Sequence, residues 1–211
     1  MSASKGNNTI VKDAIILFVI TLIAGLLLAC VNSLTAPVIA EKKAEETRKA
    51  YASVYTEAAN FKDDKGEFKD IAETSKDLLA EEAGITNTTI SQIYGAYDSS
   101  DKLIGYVFTA SCSEGYGGDV PISLGIDLKG TITGLEVLSN SETDGYGANA
   151  SKPEFKEQFK GINAPQISFV KDGSANGKDQ INGVTGASKT SNAITKAVNA
   201  CLYYATNGIK H

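Results

Sequence analysis

Residues 183–191 have the composition of a phosphate-binding turn at the start of a helix. They read G-V-T-G-A-S-K-T-S and stand directly before the most regular helical pattern of the chain. Small residues let a ligand approach the backbone, and a helix N-terminus offers unpaired N–H groups with a partial positive charge. Lys189 would add a formal positive charge. A simpler interpretation needs no ligand, because Thr190 or Ser191 could be the N-cap of the helix.

Two further loops combine glycine with tyrosine. One reads N-S-E-T-D-G-Y-G over residues 140–147, and the other reads E-G-Y-G-G over residues 114–118. Glycine beside an aromatic ring suits a backbone that lies close to a flat ring system, but it also suits an ordinary tight turn. The local pattern alone leaves both interpretations open.

Charge and residue usage exclude several kinds of chemistry. Acidic residues outnumber basic ones, 25 to 20, and the basic residues are scattered, which argues against nucleic-acid binding. The single histidine is His211, the last residue, so no scaffold-held imidazole is available for a catalytic triad or a histidine metal site. No metal site is expected. Cys112 and Cys201 are predicted to be two buried thiols, and a disulfide between them is the alternative.

An uncharged apolar segment near the N-terminus predicts a membrane anchor. Residues 14–31 contain no charge, and at about 1.5 Å per residue they span roughly 27 Å as a helix. A cleaved secretory signal and a lipoprotein signal ending at Cys30 are the alternatives, but the segment is long for the first and Leu28 fits the second poorly. Lysines and arginines are more numerous after the span than before it, so the charge rule does not place the N-terminus inside.

The elements that must position the three loops follow from residue periodicity. Residues 35–60, with Pro37 in a first turn, predict a helical stalk, and polar residues 61–69 predict a loop. β-Branched and aromatic runs at 90–97, 103–110, 121–127 and 131–138 predict two antiparallel hairpins. A short helix at 153–159 and a strand at 167–171 follow.

The final helix is predicted over residues 190–206. Its apolar stripe is Ile194, Ala197, Val198, Cys201, Leu202 and Ala205, and Asn207-Gly208 supplies a stop. The fold class is therefore α+β, with one N-terminal transmembrane helix, an antiparallel sheet and a packed C-terminal helix. The predicted boundaries are 1–34 for the tail and span, 35–60 for the stalk and 61–211 for the water-soluble domain.

The motifs together resemble a known family. They are G-Y-G-G at 115–118, L-G-I-D-x-x-G-x-I at 124–132, E-T-x-G-x-G at 142–147, F-x-x-Q-F-x-G at 155–161 and T-G-A-S-x-T-S at 185–191. With the N-terminal span, this pattern resembles the FMN-binding domain family found in the G subunit of the Rnf complex, a ferredoxin:NAD oxidoreductase. The same family includes the C subunit of the sodium-pumping NADH:quinone oxidoreductase. The compact length favours the Rnf protein.

The resemblance implies a covalent cofactor. In that family the last threonine of the 185–190 motif carries flavin mononucleotide (FMN) as a phosphoester, and that threonine is Thr190 here. Gly186, Ala187, Ser188 and Lys189 would then shape the phosphate and nearby flavin contacts. Glu142, Thr143 and Gly145 would lie beside the isoalloxazine ring. Family members usually show H-x-E-T-P-G-L-G at the middle loop, where this chain has Asn140, Asp144 and Tyr146.

The resemblance also implies partners and location. The chain would pass electrons between neighbouring membrane subunits of an ion-translocating complex, one of which also carries covalent flavin. Its domain would face the extracytoplasmic side of the cell membrane, and the isolated protein would convert no substrate. The competing interpretations are the C subunit of the sodium-pumping enzyme and an anchored structural domain without cofactor.

Overall fold

The computed structural model describes residues 4–63, 68, 70–138 and 142–209. The rest of the predicted 61–69 loop, together with Asn140, Ser141 and His211, lies outside the described residues. The chain divides between Glu46 and Thr47 into two compact units, and the predicted stalk at 35–60 spans this division.

The described part of the first unit is a single helix. Helix α1 covers Ser4–Val54, and Glu46 is its last residue in this unit. Within it, Ile10–Pro37 is 28 residues long and contains an 18-residue window with a mean hydropathy of 3.1, so it is long and apolar enough to cross a membrane. The predicted apolar segment 14–31 lies inside this stretch.

Residues 35–54 are helical, as predicted for the stalk, but Pro37 lies inside α1, so the prediction that it occupies a first helical turn is wrong. Proline removes one backbone donor from a helix, but the surrounding sequence contains no other helix breaker. Two hydroxyl groups just before it bond to helix carbonyls, Ser33 to Cys30 at 2.9 Å and Thr35 to Val31 at 2.9 Å. The helical pattern on the two sides of Pro37 therefore joins into one element.

The second unit is built on an antiparallel sheet whose five strands follow chain order. The strands are β1 Asn60–Lys62, β2 Thr88–Tyr97, β3 Leu103–Cys112, β4 Val120–Asp127 and β5 Ile132–Val137. The four predicted strands and the α+β class are confirmed. Strand β1 is not predicted by the sequence pattern, because its three residues fall at the edge of a polar segment.

Helices and a small second sheet complete this unit. They are α2 Ile71–Glu81, α3 Pro153–Lys156, α4 Ser188–Asn207, strands β6 Ser168–Val170 and β7 Gln180–Asn182, and 3-10 turns at Gly147–Ser151 and Glu157–Phe159. Strands β6 and β7 pair in parallel. The sequence pattern predicts neither helix α2 nor strand β7.

Both faces of the main sheet are covered. Alternate residues of β3 point to opposite sides, so Phe108 packs in the main core with Leu124 and Ile194, whereas Val107 packs in a second cluster. The predicted stripe of α4 is buried from Ile194 to Leu202, and Ala205 is half-buried. Cys112 and Cys201 are both buried free thiols, and burial raises the pKa of Cys201.

The second cluster is formed by the residues that end α1. Tyr51, Val54 and Tyr55 lie against the sheet, where the Thr133 hydroxyl donates to the Val54 carbonyl at 2.6 Å. Gly134 allows this approach, since a Cβ there would lie 2.9 Å from both Cα and O of Val54. Residues 47–54 are thus part of the folded domain.

Gly134→Ala should destabilise the domain, because the added methyl meets backbone atoms that cannot rotate away. We expect a loss of about 1–3 kcal/mol in the free energy of unfolding, the usual cost of overpacking. Thermal unfolding of the full chain in detergent, followed by circular dichroism, measures it. Lys129→Ala, on the exposed turn of the same hairpin, is the control and should stay within about 0.5 kcal/mol of the wild type. Equal Tm values for the two variants would contradict this packing.

Candidate functional site

Three loops meet at one end of the sheet. Strand β3 ends at Cys112, β4 begins at Val120 and β5 ends at Val137, and antiparallel pairing brings these three termini to the same edge. The connections that leave this edge are the 113–119 loop and the segment after β5 that includes 142–147. Helix α4 begins beside them, so the three motifs that sequence analysis singled out are neighbours in space.

The side chain of Glu142 joins all three loops. Its Oε2 accepts a hydrogen bond from Thr190 Oγ1 at 2.8 Å, and its Oε1 accepts one from the Gly117 backbone N–H at 3.2 Å. Thr190 has no exposed surface. One carboxylate therefore holds the start of α4 to the 113–119 loop.

Glycines make room for this carboxylate. A Cβ on Gly147 would lie 2.2 Å from Glu142 Oε2 and 2.7 Å from Thr190 Oγ1, and a Cβ on Gly115 would lie 2.6 Å from Glu142 Oε1. Any larger residue at either position would displace the carboxylate or the hydroxyl. The glycines of the two Gly-Tyr loops therefore serve close approach around Glu142.

Helix α4 begins two residues earlier than predicted, at Ser188, with Ala187 as the N-cap. The interpretation of Thr190 or Ser191 as the cap is therefore wrong. Ser191 Oγ instead accepts from the Val184 N–H at 2.8 Å and donates to the Ala187 carbonyl at 3.0 Å. Within the described parts of the chain, the N–H groups of residues 188–190 have no hydrogen-bond acceptor. Unpaired N–H groups at the first turn of a helix favour the binding of anions.

A cavity of about 540 Å³ opens onto this turn. It is lined by Tyr116, Glu142, Thr143, Tyr146, Gly147, Gly186, Ala187, Ser188, Lys189 and Thr190. Seven of the eight candidate residues from sequence analysis thus surround one space. Gly145 does not line it but adjoins Tyr146 and has a φ of 80°, which favours glycine.

Sequence analysis missed Tyr116, Tyr146 and Gly147 as individual lining residues, although its two Gly-Tyr loops contain all three. The two tyrosine side chains are largely exposed, 73% for Tyr116 and 58% for Tyr146. The Tyr146 ring packs over Gly186, where a Cβ would lie 3.2 Å from Cδ1. Gly186 has a φ of 74°, a conformation that favours glycine, and the ring leaves little room for a Cβ at this position.

A charged contact fixes the 113–119 loop on α4. Glu114 pairs with Lys196 at 2.7 Å and accepts from Asn87 Nδ2 at 2.9 Å. The hydrogen bonds from Asn87 and Lys196 lower the pKa of Glu114. Lys189 at the cavity is exposed and has no carboxylate within 4.0 Å among the described residues, so its charge is available to an anion.

The Glu114 contact should make stability depend on pH. A carboxyl whose pKa is lowered in the folded state stabilises the protein above its unfolded pKa, and this contribution is lost as pH falls through the folded value. We expect Glu114→Gln to have a lower Tm at neutral pH and a smaller fall in Tm as pH drops below about 4.3, the ordinary glutamate pKa. Thermal unfolding between neutral and acid pH measures both. Glu157→Gln, at an exposed position outside the loops, should retain the wild-type profile, and a Glu114→Gln profile identical to wild type would contradict the role of this ion pair.

Comparison with known proteins gives two family matches. The family model described as the FMN-binding domain matches residues 115–203, and the model of the RnfG N-terminal region matches residues 1–54. The first match contains all ten cavity-lining residues. The two matches lie on different parts of the chain, in the order that sequence analysis expected.

Two relatives match nearly the whole chain. The G subunit of the Na(+)-translocating ferredoxin:NAD(+) oxidoreductase complex of Acetobacterium woodii is 32% identical, covering 90% of this chain and 89% of the relative. The G subunit of the proton-translocating ferredoxin:NAD(+) oxidoreductase complex of Clostridium ljungdahlii is 31% identical, covering 98% and 97%. The two relatives are named for different ions, sodium and protons, yet they are almost equally identical to this chain. Overall identity therefore does not distinguish between the two ions.

A solved structure matches part of the chain. It is the C subunit of the Na(+)-translocating NADH-quinone reductase from Parabacteroides distasonis, with 23% identity and a TM-score of 0.46, covering 55% of this chain and 62% of that one.

Proposed function

The chain belongs to the family of the G subunits of the Rnf ion-translocating oxidoreductases, and from this membership we propose that it carries FMN on Thr190 as an electron-transfer protein of the complex. The complex is a ferredoxin:NAD oxidoreductase anchored in the cell membrane. The observation that carries the proposal is the Thr190 hydroxyl, which lies at the first turn of α4 and borders the cavity. The resemblance to this family seen in the sequence motifs is confirmed.

The cavity fits an FMN group in size and in wall chemistry. Its volume of about 540 Å³ lies within the range of small-molecule sites, about 300–1,000 Å³. Unpaired N–H groups of residues 188–190 suit the phosphate, and Lys189 adds positive charge beside them. Ala187 and Gly186 at the turn leave the backbone open to close approach. These residues would hold the phosphate end.

The two exposed tyrosines suit the ring end. Tyr116 and Tyr146 come from different loops and line the same cavity, so their rings can pack against a flat aromatic system. Thr143 and Gly145 adjoin Tyr146 and would also lie beside the isoalloxazine ring, as would Glu142. Tyr146 replaces the leucine usual in the family and offers a larger stacking surface.

The role of the protein is to hold and orient the cofactor. FMN, when bound, supplies reversible electron transfer, for which protein side chains have no equivalent. A phosphoester to Thr190 would keep the group in place through repeated turnover, because release would require hydrolysis. The first turn of α4 would hold the phosphate, and the two tyrosines would orient the ring. The isolated chain would convert no substrate.

The proposal extends to partners and location. The apolar stretch Ile10–Pro37 would anchor the chain, with the domain on the extracytoplasmic side. Its partners would be other membrane subunits of the complex, one of them carrying a second covalent flavin. Electrons would pass between those subunits through the FMN on Thr190.

The attachment predicts a defined mass. Full-length protein from a host that contains a flavin transferase, an enzyme that attaches FMN to proteins, should carry an added mass equal to FMN less one water after denaturation. This mass follows from the composition of a phosphoester between FMN and the Thr190 hydroxyl. Thr190→Ala should abolish the adduct, and Thr190→Ser should retain it because the hydroxyl remains. Intact mass spectrometry measures the adduct, and peptide mapping identifies the residue.

The neighbouring hydroxyls provide matched controls for this experiment. Ser188 lines the same cavity and is more exposed than Thr190, whereas the Ser191 hydroxyl bonds to Val184 and Ala187. Ser188→Ala and Ser191→Ala should both keep the adduct. An adduct on Thr190→Ala, or loss of the adduct in Ser188→Ala, would contradict attachment at Thr190. A bare wild-type polypeptide would favour a structural domain without cofactor.

Tyr146 predicts a spectroscopic property. A tyrosine packed against a flavin quenches its fluorescence, so Tyr146→Leu should give a brighter adduct at equal flavin content. Steady-state fluorescence of the folded protein, normalised to the fluorescence after denaturation, measures the change. Tyr203→Leu, which removes a tyrosine distant from the cavity, is the control. Equal quenching in Tyr146→Leu and wild type would exclude contact between Tyr146 and the ring.

A further inference from the structure

We propose that Glu142 is the base that orients and activates the Thr190 hydroxyl while the phosphoester forms. This proposal rests on the proposed function, since it concerns how FMN reaches Thr190. It assigns a catalytic role to a residue of the protein that receives FMN, in addition to the catalytic groups of the transferase.

The direction of the Thr190 hydroxyl is the first argument. Other hydroxyl side chains of α4 donate to the carbonyl four residues earlier, as Ser191, Thr195 and Thr206 do at 2.8–3.0 Å. This back-bond is the usual choice for a threonine inside a helix. Thr190 instead donates to Glu142 Oε2 at 2.8 Å, a residue 48 positions away. The hydroxyl is therefore held toward the cavity by a specific acceptor.

The placement of the carboxylate is the second argument. Glu142 Oε1 is held by the Gly117 N–H, and the absent side chains of Gly115 and Gly147 leave just the space it needs. Thr190 is fully buried, so its orientation depends on this contact more than on solvent. A carboxylate within hydrogen-bond reach of a nucleophilic hydroxyl meets the geometric requirement for a general base.

The reaction can be written with all atoms balanced. FMN must arrive in activated form, as in the pyrophosphate of FAD, because a free phosphate monoester offers no good leaving group. Thr190 Oγ1 attacks the FMN phosphorus, one O–P bond forms, and the P–O bond of the pyrophosphate breaks. The leaving nucleoside monophosphate takes the electron pair, and the hydroxyl proton passes to Glu142 and then to water. Nothing is oxidised or reduced.

The same geometry separates attachment from retention. Once the ester has formed, Thr190 has no proton to donate, and the phosphate brings negative charge close to the carboxylate. The Glu142–Thr190 contact then offers no stabilisation. Glu142 should therefore be needed to form the adduct and not to keep it.

The test follows adduct formation on full-length protein made without transferase and held in detergent. The protein is incubated with purified flavin transferase and FAD, and intact mass is recorded over time. Glu142→Gln has nearly the same shape and can still accept from the Gly117 N–H, but it cannot take the Thr190 proton. We expect its attachment rate to fall roughly 100-fold, within the range for loss of a general base. Its Tm should stay close to the wild-type value.

Glu157→Gln is the matched control, because it neutralises an exposed carboxylate that lies outside the loops of the site. It should attach FMN at the wild-type rate at neutral pH. Glu142→Gln protein loaded by prolonged incubation should keep its adduct as long as wild type does. A wild-type attachment rate in Glu142→Gln would overturn the proposal, and so would a slow rate accompanied by a large fall in Tm, which indicates a structural role.

Failure of this inference differs from failure of the proposed function. If only the role of Glu142 is wrong, the wild type and Glu142→Gln both gain the adduct at Thr190 and Thr190→Ala does not. If the proposed function is wrong, the wild type gains no adduct at Thr190 under any condition.

Discussion

The hydrogen bond from Thr190 to Glu142 is the contact on which the arrangement of the site depends. It joins the first turn of α4 to a segment that follows β5, and the second oxygen of the same carboxylate reaches the 113–119 loop. A carboxylate that is taken from water must be compensated by donors, and here these include one hydroxyl and one backbone N–H. Because the two donors belong to different segments, the hydrogen bonds that stabilise the carboxylate also hold these segments together. The cavity exists where they meet.

The topology of the sheet allows short loops to meet at the site. Antiparallel order places the end of β3, the start of β4 and the end of β5 at one edge, so short loops from that edge are neighbours. Helix α4 packs its buried stripe on the sheet and presents its N-terminus at the same edge. The Glu114–Lys196 pair then fixes the remaining loop along the helix. The sheet and α4 contribute most of the buried core, and the glycine-rich loops line much of the cavity.

Elements with strong periodicity are predictable from the sequence, and those without it are not. The four long strands and α4 have alternating or helical apolar patterns over eight or more residues in most cases, and their predicted positions agree to within about two residues, the usual error of boundaries. Strands β1 and β7 have three residues each, too short for a period to appear. Helix α2 follows a polar stretch and buries only Ile71, Ser75 and Leu79. Pro37 misleads the prediction because one missing donor is treated as a helix boundary.

The candidate site, too, is predictable from the sequence only in part. The family resemblance identifies seven of the lining residues, but the helix start at Ser188 cannot be predicted from side chains, since Ala187 caps it without a side-chain hydrogen bond. The Glu142–Thr190 contact joins residues that are 48 positions apart in the sequence. Periodicity and local motifs do not predict contacts over such a separation. Tyr146 is an example of such a contact: its ring lies over Gly186, whose positive φ favours glycine. A leucine at position 146 would also cover the turn at Gly186. Tyr146 differs from leucine in presenting an aromatic ring at the cavity.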